Sequence, residues 1–229
     1  MLTLGIDLSS SKEGTAACLI QWNGSRAVMR KLDLRCDDIK LDELIGEADV
    51  VGIDAPFGWP VAFIDAVVGW SSTVWTADER RRLQFRITDL YVREKLGIWP
   101  LSVSTDRIAL PAMRANALLQ RHDVKDRSGD GKFYEVYPAA TLKSWDLPCR
   151  GYKLIDPNCA RVRKNILSGL RKKLPYLEVA NECAENSDAL DALIASVTAR
   201  FASQGLTYPP SEAGIARREG WIHFPKNGD

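Results

Sequence analysis

Apolar runs that end in an acid punctuate this chain. Residues 2–8, 14–22 and 26–35 follow strand patterns, and the turns between them carry Ser9-Ser10-Ser11 and Asn23-Gly24. Asn-Gly between apolar runs is a strong hairpin signal. Asp37 and Asp38 then precede "IKLDELIGEA", whose spacing predicts a short amphipathic helix. It leads to "DVVGID", Asp49 to Asp54, a second buried-strand pattern that stops on aspartate. The order predicts three meandering strands, a helix, and a strand returning beside the first. From Ala55 to Gly131 the pattern turns helical, through "VAFIDAVVGW", "TADERRRLQFR" and "RIALPAMRANALLQRH". That stretch is too long for an ordinary connection, so it reads as a helical insertion forming a lid or wall. "KFYEVYP" predicts a fifth strand ended by Pro138, and residues 158–173 and 187–203 predict helices, the second capped by Ser187. "EGWIHFP" near the end fits either a sixth strand or an extended cover on the site.

Composition narrows the class without changing this picture. The 229 residues are 45% hydrophobic and 27% charged, enough to bury one large core. No apolar run approaches the roughly 18 residues a membrane helix needs, and no secretion signal precedes the first strand pattern. Five scattered cysteines without a C-x-x-C pair, with only two histidines, disfavour structural zinc and fit reduced thiols in a cytoplasmic protein. Thirty-one basic residues against 30 acidic ones leave a net charge of +1, so any nucleic-acid affinity must come from a local patch.

Three acids stand close to the C-terminal ends of predicted strands: Asp7, Asp54 and Glu135. Ligands of open α/β sheets bind in the crevice beyond those ends. "SDALDAL" adds Asp188 and Asp191, three apart and therefore on one helix face, followed by small Ala192 and Ala195. Each acid alone has a bland role as turn former, helix-dipole partner or arginine partner. Converging on one crevice, they repel and require a counter-ion. Mg²⁺ (or Mn²⁺) suits oxygen ligands of this kind and supports phosphodiester hydrolysis through one or two ions.

The order βββαβ…β…α, with acids on the first strand, the fourth strand and the last helix, resembles the RNase H-like superfamily. "DALDALIAS" is similar to the final helix of RuvC-type resolvases. More closely, "GIDLS", "GIDAPFGWP", "RITD", "YEVYPAA", "YK", "SDALDAL" and "EGWIHFP" resemble domain-of-unknown-function family 429, predicted RNase H-like nucleases, from Leu4 to Pro225. The resemblance implies one RNase H-like domain over residues 1–229, with a mixed five-stranded sheet, three antiparallel strands then parallel ones, flanking helices and the insertion at about 55–131. It implies metal ligation by Asp7, Asp54, Asp188 and Asp191, with Glu135 as a further catalytic acid. It departs from RNase H proper, whose second acid lies on the first helix; here that helix offers only Asp42, Glu43 and Glu47.

Four other residues are substrate-side candidates. Arg86 and Asp89 of "RITD" form either a brace for the insertion or, through the guanidinium, a phosphate contact. Lys153 of the "YK" motif and Tyr137 of "YEVYP" complete the set, and Glu219 is an outlying further acid. "ERRRLQFR", near Trp70, Trp75 and Tyr91, sets cations beside rings, which suits single strands if it is not merely a solvated face. The leading expectation is a Mg²⁺-dependent nuclease acting on DNA or RNA, single-stranded or branched forms included, with no membrane partner. The alternatives are an actin-like ATP-binding phosphotransferase relative and a non-catalytic scaffold on the same core.

Overall fold

The N-terminal apolar runs form β1 (Leu2–Asp7), β2 (Ala16–Asn23) and β3 (Arg26–Leu34), paired antiparallel in sequence. The computed structural model describes residues 1–226 except Val74, Asp130 and Ile155. Gly24 takes φ 62°, as the tight turn between β2 and β3 requires. Helix α1 (Asp38–Glu47) starts at Asp37, whose carboxylate accepts from Lys40 N–H, and buries Leu41, Leu44 and Ile45. It returns the chain to β4 (Val50–Asp54), parallel to β1 with Asp54 directly opposite Asp7. β5 (Phe133–Val136) runs parallel beside β4.

Among the described residues the sheet has seven strands, in the order β6-β3-β2-β1-β4-β5-β7, where the sequence pattern predicts five. The additions are β6 (Leu177–Glu178) at one edge and β7 (Ile222–His223), inside "EGWIHFP", at the other. Two-residue strands are too short to display an alternation, which explains the shortfall. Of these described strands, only β2 runs against the common direction.

The 55–131 stretch holds α2 (Val61–Val68), α3 (Arg80–Gln84), α4 (Ile87–Leu96) and α5 (Ala109–Arg121). The last is not a lid. Ala115, Leu118 and Leu119 of α5 pack with Leu4, Ile6 and Ile53, so α5 and α1 together cover one face of the sheet. Pro138 ends β5 and also opens an unforeseen helix, α6 (Pro138–Ser144), where its missing N–H is harmless. α7 (Pro157–Lys173), α8 (Glu182–Glu185), α9 (Ser187–Ser203) and α10 (Ala213–Glu219) complete the chain. The cap of α9 is Asn186, whose side chain accepts from Asp188 and Ala189 N–H, and Ser187 falls inside the first turn. α9 covers the second face, with Ala192, Leu193 and Val197 buried against Ala16, Cys18 and Ile20 of β2 and Ile166 and Leu170 of α7. No helix among the described residues is long and apolar enough to cross a membrane.

Candidate functional site

Strand periodicity and two glycines build the site. Side chains alternate across a strand, so Gly5 shares a face of β1 with Asp7, and Gly52 shares a face of β4 with Asp54. A Cβ on Gly5 would lie 2.0 Å from the Ala192 carbonyl oxygen, and one on Gly52 would lie 2.5 Å from that of Ala195. Only glycine lets the α9 backbone come this close. The Ser196 hydroxyl fixes the register by donating to the Thr3 carbonyl at 2.8 Å. One turn toward the N-terminus of α9, this contact delivers Asp191, fully buried, to the strand ends. One carboxylate oxygen each from Asp7, Asp54 and Asp191 lies within 4.8 Å of the others.

Among the described residues, Lys153 is the cation paired within these three acids. Lys153 Nζ stands 2.6 Å from Asp191 Oδ2, and the Tyr152 hydroxyl donates to Asp191 Oδ1 at 2.8 Å. Buried Arg163 of α7 holds this loop by donating to the carbonyls of Tyr152 and Leu154. Burial, reinforced by Asp191 and Asp54, pushes the Asp7 carboxyl well above its ordinary range. Burial likewise raises Asp54 to about 7, with Lys153 opposing and Asp191 adding. Asp191 is raised by burial despite Lys153 and Tyr152. The Lys153 ammonium is held charged, because the pull of Asp191, Asp54 and Asp7 outweighs its desolvation. Three acids on one lysine leave a surplus of negative charge that protons or a cation must relieve.

Other residues singled out in the sequence surround the three acids without joining them. Glu135 pairs in register with Ile53, not Asp54, so it leaves β5 on the other face from Asp54, yet it still lines the same crevice and its charge bears on Asp54. There its oxygens accept from Arg86 Nη1 and Nη2 at 2.9 and 2.8 Å and from Phe57 N–H at 2.9 Å. Arg86 is 1% exposed, and its fork also grips Asp89 through Nε at 3.2 Å and Nη2 at 2.9 Å. The brace is thus the arrangement that forms, and the Arg86 guanidinium is already engaged on both sides. Glu219 is buried too, accepting from Val61 N–H at 2.7 Å and Ile87 N–H at 2.8 Å, the first residues of α2 and α4. Asp188 lies outside the 4.8 Å group among the described residues and accepts from Ser187 Oγ at 3.2 Å, though its charge still bears on Asp7 and Asp191. Tyr137 lines the crevice, its phenol pushed up to about 12 by burial and the nearby Asp54. Tyr152 is the site residue the sequence reading passed over; its place in the "YK" pair was the available signal.

Above Asp7 and Asp54 opens a cavity of about 480 Å³. Pro100, Leu101, Ile108 and Pro111 form one apolar wall, while Arg150 and Lys153 bring positive charge. A mixed α/β protein with carboxylates gathered at the C-terminal ends of two adjacent parallel strands, beneath a cavity, is the class that fold and site define. Within that class the chain belongs to the family described as Protein of unknown function (DUF429), whose model matches residues 5–214. No curated protein and no solved structure matches the chain.

Proposed function

We propose that this protein is a phosphodiester hydrolase of RNase H-like architecture that acts on nucleic acid with Mg²⁺ or Mn²⁺ held by Asp7, Asp54 and Asp191. The observation that carries the reading is the convergence of three acid oxygens within 4.8 Å against one lysine. Hard oxygen donors suit such ions. Two oxygens on one Mg²⁺ with bonds of about 2.1 Å are at most about 4.2 Å apart, so the set needs only a small side-chain adjustment to fit. The order of strands and helices, with acids on β1, β4 and α9, supports the superfamily assignment. When bound, the ion supplies activation of water and neutralisation of charge at phosphorus.

The chain's own groups have distinct tasks. Asp7 and Asp54, side by side on a rigid sheet, present fixed negative charge to the cation. Tyr152 orients Asp191 through its hydrogen bond. Lys153, tethered to Asp191, is positioned to contact a substrate phosphate, with Arg150 beside it at the cavity. Arg86 and Glu135, paired with each other, line the same cavity beside Asp54 and brace it. Asp188 is the outer acid, one turn from Asp191. A phosphotransferase reading is less well supported. The loop after β1 folds on itself, with Ser9 N–H donating to Thr15 Oγ1, and Arg114 of α5 caps Ser9 O at 3.0 Å, so the loop does not open as a phosphate cradle.

Asp7→Asn tests the reading, since it keeps size and removes charge. The wild-type melting temperature should rise with millimolar Mg²⁺ or Mn²⁺, because a ligand that binds only the folded state stabilises it. Asp7→Asn should stay folded, lose that rise and lose cleavage of a nucleic-acid panel by orders of magnitude. A wild-type melting curve indifferent to both ions would overturn the metal assignment and favour the scaffold alternative.

A further inference from the structure

The cavity over the carboxylates is small, and its walls are of two kinds. Its volume of about 480 Å³ lies within the roughly 300–1,000 Å³ typical of small-molecule sites. At the floor are Asp7 and Asp54, the Arg86–Glu135 ion pair also lines it, and Arg150 and Lys153 supply further cations. Much of the remaining lining is apolar, with Pro100, Leu101, Ile108 and Pro111 from the loop before α5 and its first turn, and Tyr137 after the end of β5. Pro100 is buried and packed in place, so this wall is part of the folded body. Phosphate contact alone needs no such surface. Charged floor and cations match a phosphate; the apolar wall and phenol ring match the face of a nucleobase.

We infer that the cavity receives one nucleoside monophosphate unit, so the site works on the terminal nucleotide of a single strand and releases mononucleotides rather than cutting inside a duplex. This rests on the hydrolase reading above. A duplex presents stacked, paired bases, and the major groove alone is about 12 Å wide, so base and phosphate could reach the cavity together only from a freed end or an extruded nucleotide. Leu154, 70% exposed and next in the chain to cavity-lining Lys153, leaves apolar surface for the next base of the strand.

The test has a binding arm and a product arm. In Mn²⁺, titration calorimetry with thymidine 5′-monophosphate should detect binding to the wild-type chain. Ile108→Trp, which fills the wall, should weaken that binding about tenfold or more while keeping the Mn²⁺ melting shift. Leu101→Trp, at an exposed position, provides the same reading should Ile108→Trp fail to fold. In the product arm, an end-labelled linear single strand should yield mononucleotides, and a closed circle of the same sequence should remain intact. Cutting of the circle, internal products from the linear strand, or mononucleotide affinity unchanged in both variants would overturn the inference. If the Mn²⁺ shift persists alongside any of those results, the hydrolase reading survives without it. Loss of the wild-type Mn²⁺ shift would instead bring down the hydrolase reading itself.

Discussion

At the residue scale, the telling feature is that the site's carboxyls hold their protons too tightly. Asp54 titrates near 7 in the folded protein against an ordinary value of 3.8, and Asp7 is also raised well above that value. Between about pH 4 and 7 the folded state therefore binds protons that the unfolded chain has released. The linkage relation makes stability fall as pH rises through that window, and the contribution of Asp54 levels off above about pH 7. With chelator present, melting temperature should drop from pH 5 to pH 8; Mn²⁺ should shrink the drop by taking the protons' place. Asp7→Asn should lessen it without abolishing it, since one raised carboxyl disappears while Asp54, raised chiefly by burial, remains. Melting curves across that range in chelator and in Mn²⁺ decide the matter, and a flat wild-type profile in chelator would refute it.

At the element scale, the site depends on how closely α9 approaches the sheet. Gly52 and Gly5 are flat patches beneath Ala195, Ala192 and Ser196, and any side chain there meets backbone that cannot swing aside. Overpacking of this kind costs about 1–3 kcal/mol, more where the clash is with main chain. Gly52→Ala should lower the melting temperature by roughly 2–12 °C, and Gly5→Ala, with the shorter approach, should lower it further. Both should weaken the Mn²⁺ response, because α9 carries Asp191 away from its partners as it shifts. Gly46→Ala on α1 is the control. Its Cβ meets nothing within 4 Å, so that variant should be neutral or slightly stabilised with its Mn²⁺ response intact.

Across the whole molecule, one buried network ties distant segments together. Arg86 joins Asp89 of α4 to Glu135 of β5 and also donates to the Glu219 carbonyl at 3.1 Å; the Glu219 side chain holds the starts of α2 and α4. The C-terminal end of α10 thereby braces the 55–131 region against the sheet. Removing one partner leaves buried carboxylates uncompensated, which typically destabilises by about 3–5 kcal/mol. Arg86→Ala should therefore lose stability on that scale in denaturant melts, with proteolysis opening α2 to α4 first. Arg86→Lys should rescue little of it, because an ammonium cannot satisfy two carboxylate forks at once. A merely phosphate-binding Arg86 would leave stability untouched, so the measurement separates the two roles the "RITD" motif allows.

What the sequence determined by itself was the local grammar: the β1–β2–β3 meander, α1, β4, β5, α7 and α9, and acids at strand ends and on one helix face. These follow from periodicity and turn chemistry within a few residues of each position. Tertiary structure decided which acids meet. Parallel registration of β1 with β4 set Asp7 beside Asp54, and the glycine contacts brought in Asp191. The offset register of β5 gave Glu135 to Arg86 at the edge of the same cavity, outside the three converging acids, although its position at a strand end looked equivalent. The edge strand β6 and the apolar lining of the cavity were invisible, and "EGWIHFP" left strand and cover undecided until β7 paired with β5, because each exists only through pairing or packing between segments far apart in the chain. Period and propensity act over a few residues, whereas register and close approach are properties of two elements at once, and these decide where a charge points.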